Sequence, residues 1–409
     1  MRNDELPHIA KPLDGIRVLD FSHAAAGPFA AMFLGDLGAE IIKIERPPRG
    51  DGARSMGVPM PGEDRGRSDY YVSLNRNKKS VALDLSKVRA VELGRELAGK
   101  SDVVLQNFRP GVMDRLGLGF ADLSKIRPGL VYCSISAFGS TGPLASQPAN
   151  DIIMQSMSGL MGVTGEVGGG PVRIGAPISD YSTGLFALSG ILAALMARDR
   201  HPEGQHIEVA MLEASMNLMA NYIPSVAGLG HKVPRLGRAH AQIVPYQAFM
   251  CGDDEYIMVG AFTRQFWKNL AREVGHEEWT EDPKFATNPA RLENRDELIG
   301  MLEEIFCRQP REIWLERLLK ADVPCSPVLE LHDAVHMPQV LHNKTIVETT
   351  DATGNSVPLV RFPVRVENWG EDRLEGAPAL GANTDDVLKE VLSLSESEIA
   401  SARSDGTFG

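Results

Sequence analysis

The sequence predicts an α/β protein built on a mostly parallel sheet. Three observations point there. Short apolar strands alternate with helical stretches from Ile16 onward, the order that builds βαβ units. Each strand reads apolar on both faces, as buried parallel strands do. His23, Arg46 and the run Asn107-Phe108-Arg109 all directly follow strands, where open α/β sheets bind ligands. At 409 residues the chain is too long for one simple core and suits two domains.

In chain order, Ile16 to Ser22 (IRVLDFS) is the first strand and HAAAGPFAAMFLGDLG a small-residue helix ending at Gly38. AEIIKIERP is the second strand. The turn between strand and helix reads SHAAAGP, not GxGxxG, so a dinucleotide phosphate loop is not supported. The small residues Ala24 to Gly27 still let a ligand approach the backbone closely. Residues 47–70 form a long Gly/Pro/charge-rich loop with Arg49, Arg54, Arg65 and Arg67. Such a loop is either a solvated surface or functional. RNKKSVALDL, the helix KVRAVELGRELAGK, the strand SDVVLQNF, a short helix and turn, and the strand GLVYCSISAFG follow.

Asn150 to Gly165 is a Met- and Gly-rich helix whose methionines are expected in the core. Next comes PVRIGAPISDYSTGLFALSGILAALMARDR. It turns at GAPISDYSTG and becomes an apolar helix, expected over Thr183 to Met196 and buried on most sides. Asp180 stands at its start. On this stretch alone Asp180 reads as a helix cap; the free N–H groups of the first turn would also favour a carboxylate there. GQHIEVAMLEASMNLMANY is a strand feeding a helix. A composition change near Ile223 begins a Gly/Pro-rich linker, followed by hairpin-like CGDDEYIMVGAF and charged helices between Arg264 and Lys320. The chain ends in strand-like runs and an amphipathic helix or two.

Composition limits the function classes. A net charge of −12 gives no basic surface for nucleic acid, although a local pocket for a phosphorylated small molecule is compatible with it. The polar, acidic start MRNDELPHIA is not a signal peptide. No uninterrupted apolar run reaches the length of a membrane span. Cys133, Cys251, Cys307 and Cys325 are scattered without CxxC or framework spacing. Neither a zinc site nor a disulfide is therefore expected, and the cytoplasm is the expected compartment.

Six spaced blocks together resemble a known family: GIRVLDFSHAAAGPFAAMFLGDLGAEIIKIERP, LNRNKKSVALDL, NFRPGVMDRLGLG, SMSGLMGVTG, GAPISDYSTGLFALSGILAAL and GQHIEVAMLEA. In order and spacing they are similar to the class III CoA-transferases, almost end to end. The resemblance implies a large Rossmann-like domain from both ends of the chain, residues 1–222 and 331–409, and a small inserted α+β domain reached through a linker, residues 223–330. It also implies an interlocked homodimer.

The same resemblance implies site residues. Asp180 stands at the catalytic aspartate, which attacks a thioester to give an aspartyl–acyl anhydride and then an aspartyl–CoA thioester. His23 and Ala24 stand beside coenzyme A, Arg46 at the adenine or ribose phosphate, Asn107 and Phe108 along the CoA channel, and Arg115 at another CoA phosphate. Arg109 departs from formyl-CoA transferase, which has glycine there; it reads either as a phosphate contact or as a solvent-facing charge. Acyl-CoA is implied as substrate, with no permanently bound cofactor and no metal. RLGRAHAQIVPYQAF resembles the block of members acting on small dicarboxylates. Arg238, His240 and Gln242 are candidates for a distal carboxylate there, with a hinge loop as the alternative reading. Succinyl-CoA is the expected donor and a C4–C6 dicarboxylate the expected acceptor, with carnitine-type and aromatic acids as alternatives.

Racemases of this family have a histidine where this chain has Asn150, so α-proton exchange would lack one partner. No GGGG occurs in the small-domain region, unlike the formyl-CoA:oxalate enzymes. A non-catalytic CoA-binding subunit of a heteromeric enzyme and a thioesterase are the remaining alternatives.

Overall fold

A computed structural model describes residues 9–60, 66–350, 354–367, 369 and 374–408. Arg65 and the first eight residues lie outside the described residues. The chain divides into two compact units. The first comprises residues 1–160, 173–229 and 342–409, and the second residues 161–172 and 230–341.

The first unit is organised on a six-stranded sheet of β1 (Arg17–Asp20), β2 (Glu40–Glu45), β3 (Lys78–Ala82), β4 (Val103–Gln106), β5 (Val131–Ser136) and β6 (Gln205–Ala210). The order is β3-β2-β1-β4-β5-β6 and every pairing is parallel. This is the doubly wound Rossmann order, with the direction of winding reversing between β1 and β4. Ligands bind in such sheets at the strand C-termini beside that reversal, because the two crossovers leave in opposite directions and open a crevice.

Alternation along the strands splits the core in two. Val18, Ile41, Val103, Leu105, Val131 and Cys133 face helices α1 (Ala26–Asp36) and α4 (Ile178–Ala197). Their neighbours Leu19, Ile42, Val104 and Tyr132 face α2 (Val88–Gly99) and the C-terminal helices Thr384–Leu392 and Glu396–Ser404. Burial on both faces is what the continuous apolar strands require. The C-terminus is fastened to β3: Ser80 and Ala82 donate their N–H groups to Asn383 Oδ1 and Thr384 Oγ1 at 2.9 and 3.0 Å.

Helix α4 begins at Ile178, five residues before the sequence-based start. The missing signal was a cap supplied from elsewhere in the chain. Helix α3 (Asp151–Met157) brings the Asp151 carboxylate to the first turn, where Oδ1 accepts the Ser179 N–H at 2.9 Å. By length and composition the helical stretch 178–200 could cross a bilayer, but a core helix passes the same test. Its Ala187, Leu188, Ile191 and Ala194 sit in the core. Its other face is open: Leu185, Phe186 and Met196 are exposed.

The second unit has a three-stranded antiparallel sheet, β7 (Tyr246–Met250), β8 (Tyr256–Gly260) and Cys325–Pro327. The helices Arg264–Glu273, Arg295–Phe306 and Arg311–Lys320 share its core around Trp267, Leu298, Phe306 and Leu318.

Candidate active site

The crevice at the winding reversal is built by the turns leaving β1 and β4. They clasp each other: His23 N–H donates to Asn107 Oδ1 at 2.9 Å, and Asn107 Nδ2 donates back to the His23 carbonyl at 2.8 Å. The Phe108 ring meets the His23 imidazole edge-on, with centroids 4.6 Å apart. Glycine is required just beyond, since a Cβ at position 27 would fall 2.2 Å from Ser22 Cβ.

Two cavities open here. One, of about 250 Å³, is lined by His23, Ala24–Ala26, Asn107–Pro110, Asn150 and Asp180, among others. The other, of about 700 Å³, is lined by Phe21, Ile44, Arg46, Leu83 and Leu116 and shares His23, Ala24 and Phe108 with the first. Its lining is mostly apolar, with Arg46 at the edge among Glu45, Asp51 and Asp84, which suits a long, largely apolar ligand body.

Asp180 lies in the first turn of α4 but does not cap it; Asp151 does. Within the described residues the Asp180 carboxylate has no hydrogen-bond donor. Burial, and then the like charge of Asp151, push its pKa up to about 7, against an ordinary value near 3.9. Protonation of Asp180 therefore competes with ionisation near neutral pH. The reference value of a carboxylate alone would leave it ionised at pH 7; burial and Asp151 oppose that. Asp151 stays satisfied: Gln155 Nε2 donates to its Oδ2 at 2.7 Å and the helix N–H groups to its Oδ1.

His23 is held below its ordinary pKa by burial and by Lys43, against the opposing pull of Asp51, Asp20 and Glu45. Both causes favour the neutral imidazole. The 47–70 loop is only partly available to ligands. Arg54 is buried and locked on Glu45 (Nε to Oε2 2.8 Å, Nη2 to Oε1 2.7 Å), so its role is structural. Arg49 is exposed.

The structure thus brings together Asp180, His23, Ala24, Asn107 and Phe108 around one cavity. Arg46 lines the larger cavity, its side chain 74% exposed and 3.3 Å from Asp84. Arg115 is exposed and lines neither cavity. Arg109, left open by the sequence, lines the Asp180 cavity and supplies a cation there. Asn150 also lines it, while its Oδ1 accepts the Ile153 N–H at 3.3 Å. Arg238, His240 and Gln242 belong to the second unit. There Arg238 pairs with Glu303 at 3.1 Å and His240 stacks on Tyr246 with centroids 5.2 Å apart. Asp151, Asp51 and Lys43 were missed by sequence reasoning. Their partners at the site lie far along the chain, as Ser179 does from Asp151 and Ala24 from Asp51, or across strands, as Ser22 does from Lys43, and no local motif announces them.

Comparison with known proteins adds an independent line. The family model described as CoA-transferase family III matches residues 13–384. A succinyl-CoA:glutarate CoA-transferase from Mus musculus is 39% identical over 394 residues, covering 95% of this chain and 88% of its own length. An acetyl-CoA:oxalate CoA-transferase from Acetobacter aceti is 36% identical, with 93% and 95% covered. Among solved structures, a CaiB/BaiF family protein from Brucella suis superposes with a TM-score of 0.83 at 33% identity, over 94% of this chain and 100% of that one.

Proposed function

We propose, from the premise that this chain belongs to CoA-transferase family III, that it moves coenzyme A from succinyl-CoA to a small dicarboxylic acid with Asp180 as nucleophile. The observation that carries this reading is the unpaired, partly desolvated Asp180 carboxylate in a cavity that shares a wall with a large apolar cleft. The dicarboxylate acceptor is argued from the succinyl-CoA:glutarate relatives and from Arg109 in the cavity lining, since a guanidinium pairs naturally with a second carboxylate. Arg238, His240 and Gln242 remain proposed contacts of the same kind.

The chemistry follows from the carboxylate. Asp180 attacks the thioester carbonyl; the C–S bond breaks and CoA thiolate leaves, giving a mixed anhydride. The thiolate attacks the Asp180 carbonyl and releases succinate, leaving an aspartyl–CoA thioester. The acceptor carboxylate attacks that thioester and frees the thiolate again. Attack of the thiolate on the acceptor acyl carbon yields the new CoA ester and regenerates Asp180. A carboxylate of raised pKa is the stronger nucleophile once ionised, and the recessed cavity limits water that would hydrolyse either intermediate. The CoA body would lie in the larger cavity, with Arg46 and Arg115 toward phosphates and His23, Ala24, Asn107 and Phe108 along the channel. Asn150 cannot exchange a proton, which disfavours racemisation. The active form is proposed as a cytoplasmic homodimer.

The test is to incubate the protein with succinyl-CoA alone and trap with hydroxylamine. A hydroxamate on the Asp180 peptide, absent from Asp180→Ala, is expected, followed by CoA transfer to glutarate or a similar acid. Absence of both adduct and transfer would refute the reading. CoA release without acceptor, unaffected by added dicarboxylates, would make the protein a thioesterase instead.

A further inference from the structure

The wall shared by the two cavities is one short turn, and its backbone is gripped by side chains from three other segments. Lys43 Nζ, from β2, donates to the Ser22 carbonyl at 2.8 Å. Asn107 pairs with both the backbone N–H and the carbonyl of His23. Asp51 Oδ1 accepts the Ala24 N–H at 2.9 Å and the Ala53 N–H at 2.9 Å. Its Oδ2 is 2.8 Å from Lys43 Nζ, with both side chains sealed from solvent. Ala24 itself sits at φ +61°, a left-handed conformation that alanine adopts only under constraint. Nothing local in SHAAAGP favours it.

From this geometry we infer that Asp51 is a positioning residue for CoA transfer. It holds Ala24 in the left-handed turn, so that the His23–Ala24 wall guides the thioester from the large cavity onto Asp180. The inference rests on the reading of that cavity as the transfer site. The Asp51 carboxylate accepts from Ala24 and Ala53, and Ala24 is the residue of the smaller cavity that it grips; Asp51 itself lines the larger cavity. The charge state supports a fixed clamp. Burial alone would raise the Asp51 pKa, but Lys43 and the two N–H donors outweigh it and hold it down at about 2. Asp51 therefore stays ionised throughout the working range.

The mechanism makes an unusual rescue expected. If Asp51 serves to hold a strained alanine, its removal lets Ala24 relax, and a glycine at 24 makes the same turn accessible without the clamp. The experiment compares Asp51→Ala, Asp51→Asn and the double variant Asp51→Ala with Ala24→Gly. Succinyl-CoA:glutarate transfer and melting temperature are measured for each. Asp51→Ala is expected to lower kcat roughly 10- to 100-fold, the scale of an ångström misplacement. KM for succinyl-CoA should stay within about threefold, since the larger cavity keeps its other walls. Asp51→Asn keeps the acceptor for Ala24 and should retain most of kcat. The double variant should recover kcat several-fold over Asp51→Ala without recovering melting temperature.

An unchanged kcat in Asp51→Ala would overturn the inference, as would a change in KM alone or a double variant no faster than Asp51→Ala. Should Asp51→Ala fail to fold, hydrogen exchange on the wild-type protein decides. Slow exchange at the Ala24 amide supports the clamp, and exchange as fast as an open loop refutes it. Failure of the wild type itself to transfer CoA would refute the proposed function, a result distinct from any of these.

Discussion

Asp151 and Asp180 divide between them the two tasks that one carboxylate at a helix start could perform. Asp151, from α3, reaches across 28 residues of chain to accept the Ser179 N–H at 2.9 Å. Asp180, inside the helix, has no donor among the described residues and lies within the field of Asp151. The capping role is thereby taken by a residue outside the helix, and the proposed nucleophile is kept unpaired.

A pH dependence follows directly. Burial and Asp151 raise the Asp180 pKa to about 7, and the nucleophile is the ionised form. The log of kcat/KM for succinyl-CoA should rise with unit slope up to about pH 7 and then level, so activity at pH 6 is about tenfold below the plateau. Asp151→Asn keeps the acceptor for Ser179 but removes the like charge, and should move the inflection to lower pH. The shift will be partial, because burial is the larger cause. A profile flat from pH 5 to 8 in the free enzyme would refute this assignment.

The same raised pKa makes Asp180 a cost to the fold. Its protonated form is favoured in the folded state, so the folded chain is penalised progressively as pH climbs from the unfolded value near 3.9 to about 7, and by a constant amount above that. A rise to about 7 corresponds to at most about 4 kcal/mol, and partial access to water reduces it to about 1–3 kcal/mol. Asp180→Asn should therefore abolish transfer and raise the melting temperature at pH 8, with little gain at pH 4. Equal stability of the two proteins at pH 8 would contradict it.

How much of this could be read from the chain depends on the range of each signal. The parallel strands were legible because period and composition are local, and the residues after β1 and β4 were legible because a parallel sheet fixes where strands end. The start of α4 was not, because its cap comes from Asp151. The state of Asp180 was not, because a pKa is set by surroundings and a sequence carries only the reference value. Arg54 read as part of a loop either solvated or functional; its burial on Glu45 of β2 could not be seen from a Gly/Pro-rich loop. Leu185 and Phe186 read as core, because composition does not say which side of a long apolar helix the rest of the chain leaves open.

Helix α4 is seated by the absence of a side chain. A Cβ on Gly184 would fall 2.7 Å from the Ala26 carbonyl oxygen and 3.0 Å from the Phe29 ring. Neither can yield easily, since Ala26 is in the first turn of α1 and Phe29 is stacked on Tyr181 at 4.4 Å. Gly184→Ala should therefore push α4 away from α1 and displace Asp180 relative to Ala24–Ala26. The expected result is a loss of kcat of about 10-fold or more, from a shift of a few tenths of an ångström. Destabilisation of about 1–3 kcal/mol should accompany it. The intrinsic preference of helices for alanine over glycine predicts the opposite sign, so a more stable, fully active variant would refute the tight seat.

The exposed face of α4 bears on assembly. Leu185 and Phe186 are 48% and 44% exposed, and Ile152, Ile153 and Met157 of α3 are 43–48% exposed. Apolar side chains on two neighbouring helices are more than the scattered exposure usual on a monomer. A second copy of the chain is the partner proposed for them. Sedimentation should then give a dimer at micromolar concentration, with no dissociation on dilution. Phe186→Glu would put a charge on that face. In an interlocked pair it should yield unfolded or aggregated chain rather than a native monomer, because folding and association are then one equilibrium. A monomeric wild type that transfers CoA at full rate would refute the assembly while leaving the chemistry of Asp180 intact.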